Sequence, residues 1–253
     1  MRELIYKLYE ANLERRLDLT NLPKHVAVML DGNRRWAERR PGAKASHGHA
    51  AGAQKIHDFL EWCDELEIPV VTLYLLSVDN LKNRESAELL ELIEIITTLA
   101  DDLATDSRLR LQLMGDREQL PAETVKRIDA AVAATVAHQG IHVNLAVGYG
   151  GRAEIADAMR SILKSHSAAG TSIEKLAELL TPELISEHLY SGGQPDPDLI
   201  IRTSGEQRLS GFLLWQSASS ELYFEEALWP DFRKVDFLRA LRAFANRHRR
   251  FGA

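Results

Sequence analysis

The chain has 253 residues, 45% of them apolar and 27% charged, and a formal net charge of −6. That is ordinary globular composition, long enough to bury a sizeable core in one large domain. The acidic balance excludes a general nucleic-acid binder, so any anionic ligand has to be captured by a local cluster of Arg and Lys.

Cys63 is the single cysteine, which excludes an intrachain disulfide and a Cys-based zinc cage and points to a reducing compartment. No stretch approaches the ~20 apolar residues that span a bilayer. Arg2, Glu3 and Lys7 interrupt the apolar run that a signal peptide needs. The expected location is cytoplasmic.

Residues 6–17 carry apolar side chains at helical spacing, which predicts an amphipathic helix. Pro23 ends that segment, so residues 1–21 are expected to precede a domain spanning 22–253. A first strand is predicted over 25–30, breaking at Asp31-Gly32-Asn33. A helix follows over about 49–67, with Ile56, Phe59, Leu60 and Cys63 on one face. Strands over 69–76, 109–114 and 141–147 precede helices over about 86–103, 122–137 and 152–164. Short helices over 172–180 and 182–190 lead to a strand over 198–203. The apolar run 212–215 reads as a further strand, and 235–250 as a terminal helix. Apolar strands alternating with helices predict a single α/β domain with a largely parallel central sheet of about six strands flanked by helices.

In open parallel sheets, ligands sit outside the carboxyl ends of the strands. After the first strand, Gly32 permits a tight turn, and backbone N–H groups opening a helix favour a phosphate that Arg35 can bind. Asp31 beside a diphosphate suggests a Mg2+ ligand, since this ion takes one or two carboxylates plus phosphate oxygens. It reads as an exposed loop carboxylate whose removal leaves stability nearly unchanged. A capped turn with solvated arginines is an equal reading of the loop alone. After the second strand, Ser77 to Asn80 are small polar groups compatible with a simple N-cap. Arg202, Arg208 and Ser210 surround a glycine turn and make a second anion site; Glu221 is a second acidic candidate. Two anion sites imply a reaction between two phosphorylated substrates.

The residues at 25–37, the Gly48-His49-x-x-Gly52 element, the runs 201–210, 212–216, 221–224 and 228–232, and the terminal Arg249-Arg250-Phe251-Gly252 resemble the cis-prenyltransferase (undecaprenyl diphosphate synthase) family, over nearly the whole chain from about residue 22. The resemblance implies a Mg2+-dependent homodimer with an apolar tunnel beneath its active site. It casts Asp31 as the essential metal and diphosphate residue, and Gly32, Asn33, Arg34, Arg35 and Trp36, helped by His49, as the cradle of the allylic diphosphate. Arg202, Arg208 and Ser210 would hold isopentenyl diphosphate, and Glu221 would assist the metal near the subunit boundary. Ser77 and Asn80 match positions near the reacting carbons, with Asn33 and Asn80 among the catalytic candidates. Arg250 and Gly252 match a tail that reaches the neighbouring subunit, and product release implies peripheral membrane contact.

Leu75 stands where long-chain bacterial members usually carry alanine. Together with likeness to short-chain actinobacterial-type members, this implies one condensation of geranyl with isopentenyl diphosphate to Z,E-farnesyl diphosphate. A long-chain polyprenyl (undecaprenyl or decaprenyl) diphosphate synthase is the runner-up. A non-catalytic prenyl-diphosphate-binding partner subunit and a phosphate-ester hydrolase are the alternatives of other classes. The chain departs from the family at Arg34, at Ala45, at Gln207 and at Asn83, which lacks the usual arginine although Arg84 lies one residue on. Asp101-Asp102 to Asp106 is spaced one residue too long for the aspartate-rich motif of trans-prenyltransferases. Leu89, Leu92, Ile93 and Ile96 lie at helical spacing and read as core.

Overall fold

The computed structural model describes residues 10–247. Arg250 and Gly252 lie outside the described residues. Five strands form where continuous apolar runs predict them: β1 His25–Met29, β2 Val70–Ser77, β3 Leu109–Met114, β4 Ile141–Tyr149 and β5 Leu199–Arg202. The run 212–215 is not a strand. Ser210, Gly211 and Leu213 take φ values of 46°, 80° and 45°, and this left-handed backbone folds the run into turns. The sixth strand is β6, Glu221–Phe224, half-buried at the sheet edge.

The strands lie in the order β3-β4-β2-β1-β5-β6, with every pairing parallel. β1 pairs with β2 on one side and β5 on the other. The strand order therefore reverses at β1, and the crevice past its carboxyl end is the natural ligand site of such a sheet.

Alternation sorts the side chains onto two faces. Val26, Val28, Val71, Leu73, Val143, Leu145 and Ile201 enter the larger core. It is covered by α2 (Ala45–Glu65), α4 (Ser86–Ala104), α5 (Ala122–Thr135) and α9 (Lys234–Ala245). Leu13 and Leu17 of the N-terminal segment join that same core. Ala27, Met29, Ala146 and Ile200 face a smaller cluster that Phe212 and Leu213 close, so the apolar run that is not a strand serves as a lid on the sheet. Tyr74 stacks on Phe212 with ring centroids 4.6 Å apart. Shorter helices complete the chain: α1 (Asn33–Glu38), α3 (Val78–Asn83), α7 (Ile173–Leu179) and α8 (Pro182–His188). α6 (Gly151–Ala168) packs on α8. Among the described residues no helix is long and apolar enough to cross a membrane.

The smaller face carries a row of buried polar groups, each with a partner. His25 lies 2.8 Å from the Pro195 carbonyl through Nδ1, which must therefore donate, and its Nε2 accepts from Thr72 Oγ1 at 2.8 Å. Asn144 Nδ2 donates to the same Thr72 oxygen at 2.9 Å and to Gln194 Oε1 at 2.7 Å. This row anchors the loop at 192–197 to the sheet. Burial pushes His25 down from 6.5 to about 4. The unfolded chain thus takes a proton near 6.5 that the folded protein refuses until about 4. The stability this histidine supplies is full above the upper value and is lost as pH falls to the lower one, roughly 3 kcal/mol in all. Urea unfolding at pH 7, 5.5 and 4 is expected to show a steeper acid decline for the wild type than for His25→Gln; parallel declines would contradict the assignment.

Candidate active site

The turn after β1 is built so that only glycine fits at its apex. Gly32 has φ 109°, and a Cβ there would lie 2.8 Å from Leu228 Cδ2. Beyond it, α1 is pressed against α2. A Cβ at Gly48 would come 2.0 Å from the Asn33 carbonyl oxygen, and one at Gly52 would come 2.5 Å from Asn33 Oδ1. The two glycines allow α2 to begin four residues earlier than the apolar pattern predicts and to seat Asn33 against its backbone. Asn33 Oδ1 is buried without a hydrogen-bond partner among the described residues. Trp229 closes the arrangement: its indole donates to the Gly52 carbonyl at 2.8 Å and its backbone N–H to the Asp31 carbonyl at 2.9 Å.

Asp31 is not an isolated loop carboxylate. Its Oδ2 accepts from Arg202 Nε at 2.8 Å, and Arg202 Nη2 lies at 2.8 Å from the same oxygen. The Arg202 side chain is only 5% exposed. Its Nη1 donates to the Arg208 carbonyl and, at 3.0 Å, to Ser210 Oγ. Removing Asp31 would strip the acceptor from an enclosed guanidinium, so Asp31→Ala is expected to lose stability, contrary to the expectation from sequence. Arg35 ties the same two loops from above, donating to Ser204 Oγ at 2.6 Å.

At the end of β2, Ser77 does two things. Its Oγ caps α3 by accepting from the Asn80 N–H at 3.0 Å, and it lines the cavity. On the far wall, Glu88 Oε1 lies 3.2 Å from His49 Nε2, 2.9 Å from Arg84 Nη1 and 3.5 Å from Arg34 Nε. Burial holds His49 below its usual range despite the Glu88 carboxylate. Burial raises Glu88, but His49, Arg84 and Arg34 outweigh it and leave the carboxyl below its ordinary value.

These walls enclose a cavity of about 600 Å³. It brings together Asp31, Gly32, Asn33, Arg34, Arg35, His49, Leu75, Ser77, Asn80, Arg202, Arg208 and Ser210. Five arginines line it against the carboxylates of Asp31, Glu38 and Asp79, a local surplus of positive charge on an acidic chain. Beneath it, sharing Leu30, Asn33, His49, Leu75 and Leu92, lies an apolar pouch of about 40 Å³ between β2, α2 and α4.

Residues 29–252 match the family model described as "Putative undecaprenyl diphosphate synthase". The chain belongs to the cis-prenyltransferase family. It is 55% identical over 248 residues to the (2Z,6E)-farnesyl diphosphate synthase of Thermobifida fusca, covering 98% of this chain and 97% of that one. It is 52% identical over 252 residues to isoprenyl transferase 1 of Streptomyces avermitilis, covering 100% and 97%. The lavandulyl diphosphate synthase of Lavandula x intermedia, solved with dimethylallyl diphosphate, superposes with a TM-score of 0.83 at 33% identity, covering 91% of this chain and 98% of that one.

Two of the residues expected from the cis-prenyltransferase pattern stand apart from the cavity. Trp36 points to the rim, where its indole donates to Asp231 Oδ1 at 2.7 Å and Arg40 covers its ring. Glu221 opens β6 level with Leu199, whereas Phe224 is level with Arg202. It thus sits ~10 Å toward the amino end of the sheet, three residues at about 3.3 Å each, and pairs with Arg247. Within one chain, Asp31 and Glu221 do not meet. Sequence reasoning missed Glu88 and Tyr74. Glu88 follows Arg84 at i+4, a pairing signal in itself, but the apolar stripe of α4 absorbed it. Tyr74 read only as part of an apolar strand.

The glycine packing generates a direct test. Gly48→Ala is expected to destabilise the protein by about 1–3 kcal/mol through overpacking and to weaken inorganic pyrophosphate binding, because the Asn33 turn must move. Unchanged melting temperature and unchanged calorimetric affinity would contradict the packing described.

Proposed function

We propose that this chain condenses isopentenyl diphosphate with geranyl diphosphate in cis, giving Z,E-farnesyl diphosphate and inorganic pyrophosphate. The observation that carries the short product is the contrast between the two cavities. The polar chamber of about 600 Å³ is of the size that holds small ligands. The apolar pouch of about 40 Å³ has room for only a few waters at ~10–15 Å³ each, with Leu75 and Leu92 at its mouth. A growing prenyl chain would meet those side chains at once. The farnesyl diphosphate synthase named for the Thermobifida relative agrees with this reading.

Asp31 fits a Mg2+ site of the kind that takes a single protein carboxylate with substrate phosphates. Its Oδ1 makes no hydrogen bond among the described residues, and the arginines stand ready for the phosphates. Mg2+ bound there would neutralise charge on the departing diphosphate. Arg34 and Arg35 hold the allylic diphosphate, while Arg202, Arg208 and Ser210 hold that of isopentenyl diphosphate. As the allylic carbon–oxygen bond breaks, these guanidiniums stabilise the leaving group. The isopentenyl double bond then attacks the allylic carbon, and a diphosphate oxygen takes one proton from the isopentenyl C2, which completes the new Z double bond. Asn33 and Asn80 border the space where these carbons meet.

The same reading includes a homodimer. Glu221 on the edge strand and the tail that carries Arg250 and Gly252 would then serve the partner's site, and peripheral membrane contact would release product.

Incubation with geranyl and isopentenyl diphosphates plus Mg2+, followed by chromatography of the extracted alcohols, is expected to give the fifteen-carbon Z,E product. Leu75→Ala is expected to lengthen it, since Ala53, Ile95 and Leu99 connect the pouch to a groove of about 250 Å³ between α2 and α4. Fifty-carbon chains from the wild type would sink the steric stop in favour of the long-chain synthase. No extension at all would favour a non-catalytic subunit.

A further inference from the structure

Residues other than glycine avoid the left-handed region, yet Ser210 and Leu213 both occupy it, at φ 46° and 45°, on either side of Phe212. Strain of this kind persists only where the surroundings over-determine it, and it collects at functional sites. Here it falls on the turn that carries the Ser210 hydroxyl and follows the Arg208 carbonyl, the two acceptors of Arg202 Nη1. Ser210 keeps its place only while the turn does.

Phe212 is the anchor of that turn. Its side chain is fully buried, and its ring lies flat on Tyr74, with centroids 4.6 Å apart and planes 12° from parallel. Tyr149 meets the same ring edge-on at 6.0 Å. Such aromatic pairs attract beyond the area they bury. From the other side, the Gly151 N–H at the start of α6 donates to the Gly211 carbonyl at 2.8 Å, and a Cβ at Gly151 would come 2.6 Å from that oxygen. The turn is thus gripped between α6 and the end of β2.

Tyr74 reaches Phe212 because β2 is irregular. The register against β4 shifts between Tyr74 and Leu76 and again between Leu76 and Ser77. Strict alternation would put Tyr74 and Leu76 on one face, but Leu76 enters the larger core and Tyr74 packs on the smaller cluster. A bulge re-aims a side chain in this way, and bulges are frequent beside active sites. Tyr74 therefore lines the cavity and backs the turn at once. Its hydroxyl makes a long contact, 3.5 Å to the Tyr149 carbonyl, so the ring rather than the hydroxyl does the bracing.

We propose that Tyr74 is a positioning residue for isopentenyl diphosphate: its ring braces Phe212 and so presets the strained turn that presents Ser210 to the diphosphate. The inference rests on the prenyl-transfer reading for the identity of that ligand, and the experiments separate the two.

Tyr74→Leu is expected to raise the KM for isopentenyl diphosphate at least tenfold and to leave that for geranyl diphosphate within twofold. Tyr74→Phe, which keeps the ring, is expected to hold both within twofold. Phe212→Leu is expected to raise the same KM, and the double variant to be no worse than either single one, because one contact is lost in each case. A Tyr74→Leu variant with an unchanged KM for isopentenyl diphosphate, or with both KM values raised alike, would overturn the proposal. So would a Tyr74→Phe variant as impaired as Tyr74→Leu, since the role would then belong to the hydroxyl. Hydrogen exchange of the ligand-free wild type gives a second measurement. The Phe212 N–H, bonded to the Leu209 carbonyl at 2.8 Å, is expected to be protected before any substrate is added. An unprotected Phe212 amide overturns the proposal whether or not Tyr74→Leu folds. A wild type that condenses the two substrates while Tyr74→Leu kinetics stay unaltered defeats this inference alone. A wild type that condenses nothing, with the Phe212 amide protected, defeats the prenyl-transfer reading and leaves the turn preset.

Discussion

Arg202 carries a full positive charge at a position almost closed to water, at the end of the strand beside β1, and the surrounding loops are shaped by the need to satisfy it. An unpaired buried cation is destabilising by several kcal/mol. Asp31 supplies the countercharge, and the Arg208 carbonyl and Ser210 hydroxyl take further donors. The loops after β1 and β5 therefore hold one relative position even without substrate. Thr203 Oγ1 adds a bond to the Asp31 carbonyl at 2.7 Å, so backbone and side chain are fixed together. The carboxylate is thereby oriented ahead of any ligand, which lowers the ordering needed on binding.

Sheet topology decides where this joint can exist. Because β1 lies between β2 and β5, the ends of three parallel strands converge on one crevice, with Asp31, Ser77 and Arg202 past or at their carboxyl ends. One face beneath is filled by the aromatic cluster of Phe59, Trp229, Phe232 and Phe237, with Phe59 and Phe237 centroids 4.9 Å apart. Trp229 belongs to that cluster and also bonds the Asp31 and Gly52 carbonyls, so core packing and site geometry are parts of one structure. On the other face the turn at 209–213 brings Phe212 against Tyr74. The site is thus supported from both sides of the sheet.

Much of this was legible in the sequence because buried parallel strands read as unbroken apolar runs, and the polar residues past their ends announce the crevice. The misreading at 212–215 has a physical cause: a run that must close a sheet face is as apolar as a strand, and only its left-handed neighbours distinguish it. β6 escaped notice for the converse reason, since an edge strand that is half-buried need not be apolar throughout. The grouping of His49, Arg84 and Glu88 joins residues 39 positions apart, across a helix pairing that no local pattern encodes. The demand for glycine at 48 and 52 was visible as a motif, but its cause, the approach of Asn33, belongs to three dimensions.

The role proposed for Asp31 is twofold: the countercharge of Arg202, and the carboxylate through which a divalent cation would join the diphosphate to the protein. Calorimetric affinity for inorganic pyrophosphate, measured with and without Mg2+ in the wild type and in Asp31→Asn, tests it most directly. The wild type should bind more tightly with the metal, and the variant, which keeps an acceptor for Arg202 but lacks the charge, should lose most of that gain while remaining folded. A variant whose affinity rises with Mg2+ as much as the wild type's would contradict the assignment.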